Sequence, residues 1–494
     1  MKNKTSKKIN VLIYGAGEAG RQLGVSLEKN NDFKVVGFLD DNKKLKNKTL
    51  LGRTINYTND LKKIAFNLDI GQVFIAMPSI SRRKRNQIVK KLSKLKIIVK
   101  TLPSISEIID GRVTVSDIKD INIDDLLNRQ QVKPDIKLLK KNISKKIVLV
   151  TGAGGSIGSE LCRQIIKLKP LKLLLLELNE FALYNIREEL IKNYKSQNIV
   201  SLLGDSQDQA KLQIIFETFK VSTVYHTAAY KHVPLVEENI CAGVKNNVFS
   251  TLAVAKASVL NGVKNLVFIS SDKAVRPTNI MGASKRLAEL CVQAIYENIN
   301  NENINFSIVR FGNVLESSGS VIPKFKKQIM EGGPVTLTHK NVTRYFMTIT
   351  EAAQLVIQAG SMGKKSEVFV LDMGKSIKII NLINTMINLF GLTVKNKKNP
   401  KGDIAIKIIG LRPGEKLYEE LLIGDKPQKT RHPKIKKIND PSISYNKLEL
   451  DLNYLRTLIN HNKSKAVKKL LKKILKSFKS NSKIVDNLYL QQIK

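Results

Sequence analysis

The 494-residue chain has no tryptophan, 6% aromatic residues and three cysteines. Cys162, Cys241 and Cys291 are widely separated and form no C-x-x-C pair. That spacing excludes a disulfide framework or a cysteine-type zinc site and suits a reducing compartment. No metal site is expected. No apolar run approaches the roughly 20 residues that cross a bilayer. The basic N-terminus breaks into glycines at VLIYGAG (11–17), which is not a signal-peptide core. These absences predict a cytoplasmic location. Acidic residues are also scarce, 42 Asp+Glu against 84 Lys+Arg, for a formal net charge of +42. Such an excess ordinarily suggests nucleic acid. Here only 16 of the cations are arginine, and the lysines, with abundant Asn and Ile, carry the imprint of an AT-rich genome. Nucleic-acid sites favour arginine forks and aromatic platforms, so no nucleic-acid partner is expected.

What is present is an α/β chain: 42% hydrophobic and 26% charged residues fit a globular protein with room for two to four domains. Two glycine fingerprints organise it. In INVLIYGAGEAGRQL (9–23) an apolar strand runs into Gly15-x-Gly17-x-x-Gly20, and KVVGFLD ends at Asp40, twenty residues after Gly20. In KIVLVTGAGGSIGSEL (146–161) the glycines fall at Gly152, Gly155 and Gly158, followed by LKLLLLE ending at Glu177. Strand and helix patterns then alternate through FSIVRF (306–311), which predicts a parallel sheet covered by helices on both faces. The expected fold is two Rossmann-like doubly wound parallel-sheet domains, the second with a smaller C-terminal substrate lobe. Expected boundaries are 1–118 for the first domain, 119–145 for a linker, 146–424 for the second domain with its lobe, and 425–494 for a basic tail.

The second fingerprint has every part of a dinucleotide site. Gly152 permits the tight turn, Gly155 admits the pyrophosphate to the backbone, and Gly158 lets the helix pack closely, with Ser156 and Ile157 in the same turn. Free N–H groups at the helix start favour anions. Glu177 can accept from both ribose hydroxyls and would repel a 2′-phosphate, so NAD is expected as the cofactor. The first fingerprint meets the same rule through Asp40, but no candidate catalytic residues follow it. A nucleotide site and a structural or regulatory domain remain equal readings there. In the tail, Val467, Leu470, Leu471, Ile474, Leu475 and Phe478 recur at helical spacing, with Lys468, Lys469, Lys472, Lys473 and Lys476 opposite. This helix either packs on its own domain or makes peripheral contact with the anionic inner face of a membrane.

The run from about 147 to 424 resembles the extended short-chain dehydrogenase/reductases. Among them it is similar to the large nucleotide-sugar 4,6-dehydratases of polysaccharide biosynthesis that act on UDP-N-acetylglucosamine. TGAGGSIGSELCRQI, HTAAYKHVPLVEEN, SSDKAVRPTNIMGASKR, RFGNVLESSGSVIPKF, VTRYFMTITEAAQLV and GLRPGEKLYEELL carry the resemblance, in order. The N-terminal unit is similar too, without the family's usual upstream membrane helices. The resemblance implies a UDP-sugar substrate, a lyase and a redox-neutral elimination. Hydride leaves C4 for NAD⁺, a base removes the C5 proton, the C6 hydroxyl departs with help from an acid, and hydride returns at C6. A homo-oligomer is also expected. A 4-epimerase and a silent UDP-sugar and NAD sensor are the alternatives.

By resemblance, Lys273 is the C5 base and Asp272 the C6 acid, beside Ser271 at a strand end. The alternative is a structural ion pair. As a base Lys273 must be neutral, which requires burial or a nearby cation to lower its pKa; Asp272 must be protonated. Lys285 is expected to hold the nicotinamide ribose. Four residues before it, where most of the superfamily has tyrosine, stands Met281, which cannot exchange a proton. Either the protein binds nucleotides without turnover, or the 4-hydroxyl proton leaves through Ser271, Asp272 or Lys273. Ala228, Ala229 and Tyr230 are expected along the cofactor and Asp205-Ser206 near adenine. Lys231 and His232 either reach the substrate or lie on the surface. Asn313, Arg344, Arg412 and Glu415 fit the nucleotide-sugar side, where guanidinium groups match diphosphate oxygens in pairs. Glu316 replaces a glycine usual in the related pattern.

Overall fold

The computed structural model describes residues 8–92, 95, 97–102, 118–120, 132–194, 198–298, 304–315, 317–421, 427–480 and 482–493. Glu316 and most of the expected linker lie outside them. The chain divides into two units. The first gathers residues 1–130, 324–337 and 379–409; the second gathers 131–323, 338–378 and 410–494. Two stretches expected in the substrate lobe thus group with the first unit, and the basic tail groups with the second.

The first unit is built on a seven-stranded sheet. Its strands are β1 (Ile9–Tyr14), β2 (Phe33–Asp40), β3 (Thr49–Leu50), β4 (Arg53–Tyr57), β5 (Gln72–Ile75), β6 (Ile98–Thr101) and β7 (Lys119–Asp120), in the order β3-β4-β2-β1-β5-β6-β7. All pairs are parallel except β3 with β4 and β6 with β7. Val11 to Tyr14 are buried on both faces, as an interior parallel strand requires. Helix α1 (Glu18–Glu28) follows the first fingerprint with Gly17 as its N-cap. The Asp40 carboxylate accepts the N–H groups of Ala16 (2.9 Å) and Asn42 (2.8 Å), tying the end of β2 to the glycine turn.

The second unit carries a nine-stranded sheet. Its strands are β8 (Ile147–Thr151), β9 (Lys172–Glu177), β10 (Ile199–Leu203), β11 (Thr223–His226), β12 (Asn265–Ile269), β13 (Asn305–Arg310), β14 (Ser366–Leu371), β15 (Gln428–Lys429) and β16 (Ile435–Ile438). The order is β10-β9-β8-β11-β12-β13-β14-β16-β15, parallel as far as β14. The order reverses between β8 and β11, and α/β folds open a ligand crevice at such a switch point. Helix α2 (Ser156–Lys167) rises from the glycine turn after β8. On another face lie α3 (Ser250–Leu260) and α4 (Ile280–Glu297).

The tail forms α5 (Tyr445–Asn460) and α6 (Ser464–Ile474). Val467, Leu470, Leu471, Leu475 and Phe478 are buried in the same core cluster as Leu287, Leu290 and Leu252 of α4 and α3. The apolar stripe considered for a membrane is therefore consumed inside the unit. The lysine face also differs from expectation, because Lys468 is buried with its Nζ donating to the Ser482 carbonyl at 2.9 Å. No helix among the described residues is long and apolar enough to cross a membrane. Leu471 is fully buried, so Leu471→Ala should destabilise the second unit by about 2–5 kcal/mol. A denaturant midpoint unchanged from the wild type would show that the tail does not belong to that core.

Candidate functional site

Above the carboxyl ends of β8, β11, β12 and β13 lies a cavity of about 720 Å³ lined from Gly155–Gly158, Thr227, Ala229–His232, Ser270–Ser271, Lys273, Met281, Lys285, Asn313 and Ser317–Val321. One wall is the glycine turn. Gly152 sits at φ +66°, and a Cβ there would lie 2.8 Å from the Ala228 backbone. A Cβ on Gly158 would lie 2.0 Å from the Gly152 carbonyl oxygen, so the helix start could not approach the strand with any other residue. Glu177 accepts N–H bonds from Gly154 (2.9 Å), Leu178 (3.0 Å) and Asn179 (3.0 Å). A carboxylate has about four acceptor positions, so one remains for a ribose hydroxyl. Asp205 is turned onto its own turn, accepting from Gln207 N–H at 2.8 Å, and Ser206 is buried beside it. These residues fit NAD: the glycine cradle admits a pyrophosphate and the strand-end carboxylate stands where a ribose would be read.

Lys285 lines the same cavity, almost fully buried, with its Nζ 4.0 Å from the Phe268 ring centre. Burial pushes its amine down to about 7, although Glu289 pulls it back upward. Behind it His226 is held between the hydroxyls of Thr151 (2.7 Å) and Thr251 (3.1 Å), and burial with the Lys285 charge pushes its imidazole down to about 3. Tyr230 is fixed by Asn247, whose Oδ1 accepts the Tyr230 N–H (2.7 Å) and whose Nδ2 donates to the Tyr230 carbonyl (3.0 Å) and to Ser284 Oγ (2.9 Å). Asn247 lies in a π-helical turn, Lys245–Phe249. Such turns often re-aim side chains at functional sites, and nothing in the local spacing marks it beforehand.

The same cavity carries acid–base candidates, Ser271 and Lys273. Ser271 caps a short 3₁₀ turn, Asp272–Ala274, directly after β12, accepting the Lys273 N–H at 3.2 Å. Lys273 Nζ donates to Asp272 Oδ1 (2.9 Å) and Asn313 Oδ1 (3.1 Å). Asp272 is buried, and its Oδ2 has no hydrogen-bond partner among the described residues. The expectation of a lowered Lys273 pKa is corrected here. Burial pulls the amine down, but the carboxylates of Asp272 and Glu419 outweigh burial and the Arg344 charge, holding it above the ordinary lysine range.

Met281 is buried and lines the cavity, as do Lys231 and His232. Burial lowers the pKa of both Lys231 and His232, the latter also through the Lys231 charge. Arg344 and Arg412 are not cavity-lining. The Arg344 guanidinium is buried, donating to the carbonyls of Thr343 (2.7 Å) and Leu417 (3.3 Å) and to Glu415 Oε1 (3.2 Å). Arg412 is exposed, its N–H donating to Glu415 Oε2 at 3.2 Å. Glu415 thus receives both arginines' donors. Sequence reading missed Glu419, which lies in the same GLRPGEKLYEELL run: its buried Oε1 is 3.8 Å from Lys273 Nζ and 3.7 Å from Arg344 Nε. Three carboxylates in that run give no local signal of which one turns inward.

A reversed-order parallel sheet, a glycine cradle, a strand-end carboxylate and a buried lysine four residues after a cavity-lining position define a short-chain dehydrogenase/reductase. Comparison with known proteins is consistent. The family described as polysaccharide biosynthesis protein matches residues 148–440, and one described as C2185-like, N-terminal, matches 7–101. The capsular polysaccharide biosynthesis protein CapD of Staphylococcus aureus is 42% identical over 425 residues, 85% of this chain and 69% of that protein. A UDP-N-acetylglucosamine 4,6-dehydratase (inverting) of Campylobacter jejuni is 30% identical over 282 residues, 57% of this chain and 78% of that protein. The X-ray structure of Pen from Bacillus thuringiensis superposes with TM-score 0.54 at 32% identity, covering 63% of this chain and 99% of its own. The chain belongs to the polysaccharide biosynthesis protein family.

Proposed function

We propose that the second unit is an NAD-dependent nucleotide-sugar 4,6-dehydratase, with UDP-N-acetylglucosamine as the substrate. The observation that carries this reading is the Asp272–Lys273 pair, held with Asn313 at the cavity that the glycine turn also lines. An acid and a base side by side suit removal of a C5 proton coupled to departure of the C6 hydroxyl. NAD, when bound, supplies hydride acceptance from C4 and hydride return to C6. Lys285, buried and lining the cavity, is assigned to the nicotinamide ribose. Asp272, buried beside the cavity-lining Lys273, is assigned the proton for the leaving hydroxyl; its Oδ2 has no hydrogen-bond partner among the described residues. Lys273 has to lose its proton before taking one from C5, and the flanking carboxylates offer it acceptors. Met281 occupies the position from which a tyrosine would exchange the 4-hydroxyl proton, and this disfavours a simple 4-epimerase. The relationship to the Campylobacter protein supports the substrate.

Incubation with UDP-N-acetylglucosamine in D₂O, followed by NMR, tests the reading. A new C6 methyl and deuterium at C5 are expected. A C4-epimerised product with an intact C6 hydroxyl would refute it, and absence of turnover would favour a UDP-sugar sensor. The partner expectations remain a UDP-sugar and a homo-oligomer of the chain, in the cytoplasm.

A further inference from the structure

We propose that Glu419 is a positioning residue for the Lys273 amine, bridging it to the Arg344 guanidinium so that two cations can share one buried wall. The geometry is specific. Glu419 Oε1 lies 3.8 Å from Lys273 Nζ and 3.7 Å from Arg344 Nε, and its side chain is 4% exposed. Its other oxygen, Oε2, has no hydrogen-bond partner among the described residues. A buried carboxylate with an unused oxygen is unfavourable unless neighbouring charge compensates it. The compensating charges are the amine at the candidate chemistry and an arginine already held by Glu415 (3.2 Å).

The groups facing Lys273 are Asp272 on its own turn, Asn313 from the strand segment after β13, and Glu419 and Arg344 from the C-terminal part of the unit. Asp272 and Asn313 reach the amine from the sheet edge, and Glu419 holds it from the Arg344 side. Without the Glu419 charge, Arg344 and Lys273 would repel one another across a poorly solvated space. The amine would then titrate lower and move from its place. Glu419 acts through Lys273 and touches no reacting atom, so the role is one of placement and charge.

The kinetic part of the test rests on the dehydratase reading; the titration part does not. Glu419→Gln is isosteric and removes only the charge. In protein labelled with ¹³C-lysine, with the Lys273 signal assigned by Lys273→Arg, the substitution should lower the Lys273 pKa by at least about one unit in the substrate-free state. With UDP-N-acetylglucosamine, the alkaline-side rise of kcat/KM should move to lower pH by the same amount. The kcat plateau should fall about tenfold or more through misplacement of the base. Glu419→Asp keeps the charge and should leave the rise near its wild-type pH while recovering only part of kcat. A Lys273 titration unchanged in Glu419→Gln would overturn the proposal, even if stability or kcat fell. If the wild type gave no product, the dehydratase reading would fail, while the ¹³C titration would still decide whether Glu419 governs the amine.

Discussion

Lys273→Met should abolish dehydration, lowering kcat by about 10²- to 10⁴-fold, while NAD still binds. The hydrogen bonds of the amine go to Asp272 and Asn313. Methionine keeps most of the aliphatic side chain and removes the amine, with its proton chemistry, its charge and its hydrogen bonds to Asp272 and Asn313. Activity with UDP-N-acetylglucosamine, and cofactor binding by fluorescence titration, separate the two effects. The pH dependence has a definite sign. The reaction needs the neutral amine, and the flanking carboxylates raise its pKa above the ordinary lysine value in the free protein. The wild-type kcat/KM should therefore climb with pH across the neutral range, approaching tenfold per unit. Substantial activity in Lys273→Met, or a flat profile in the wild type, would remove Lys273 from the role of base.

Glu289→Gln should destabilise the second unit by about 3–5 kcal/mol. Glu289 is fully buried on α4, and its carboxylate accepts from Arg310 Nε (2.7 Å) and Nη2 (2.6 Å), Arg286 Nη1 (2.9 Å) and Ser270 Oγ (2.6 Å). Asp440 closes the network from the far side, contacting both Arg286 and Arg310. Removing the Glu289 charge leaves two buried guanidinium groups facing the Asp440 carboxylate alone. Burial by itself would raise the Glu289 pKa, but Arg310 and Arg286 hold it well below the usual carboxylate range. Because the folded pKa is depressed, its stabilisation is complete above the unfolded value near 4.3 and is lost as pH falls below it. Chemical denaturation at pH 7 and at pH 3.5 tests both points. The difference between wild type and Glu289→Gln should be large at pH 7 and smaller at pH 3.5. A loss under about 1 kcal/mol at pH 7 would mean the network is not what braces Ser270, which precedes the candidate acid–base turn.

Features whose cause is local could be read from the chain. The glycine turns, the strand-end Glu177 and Asp40, and the alternation of strands and helices all follow from neighbours in sequence. The placement of Ser271, Lys273, Met281 and Lys285 around one cavity follows from strand order, which the alternating pattern implies, with Asp272 buried beside Lys273. What escaped depends on distant partners. Lys273 is adjacent to Asp272 in sequence, yet Glu419 and Arg344 help set its charge, and neither the pairing nor its direction is visible locally. The same holds for Arg344, a plausible diphosphate ligand as an isolated arginine but buried here against Glu415 and Glu419. In the tail, periodicity identified the helix correctly. It could not show that α3 and α4 offer an apolar surface to cover, nor that Lys468 turns inward to the Ser482 carbonyl.

The most direct measurement uses UDP-N-acetylglucosamine carrying deuterium at C4, with the product examined by NMR. Intramolecular hydride transfer from C4 to C6 predicts one deuterium in the new C6 methyl group and a ketone at C4. Deuterium retained at C4 with inverted configuration and an intact C6 hydroxyl would contradict the dehydratase account.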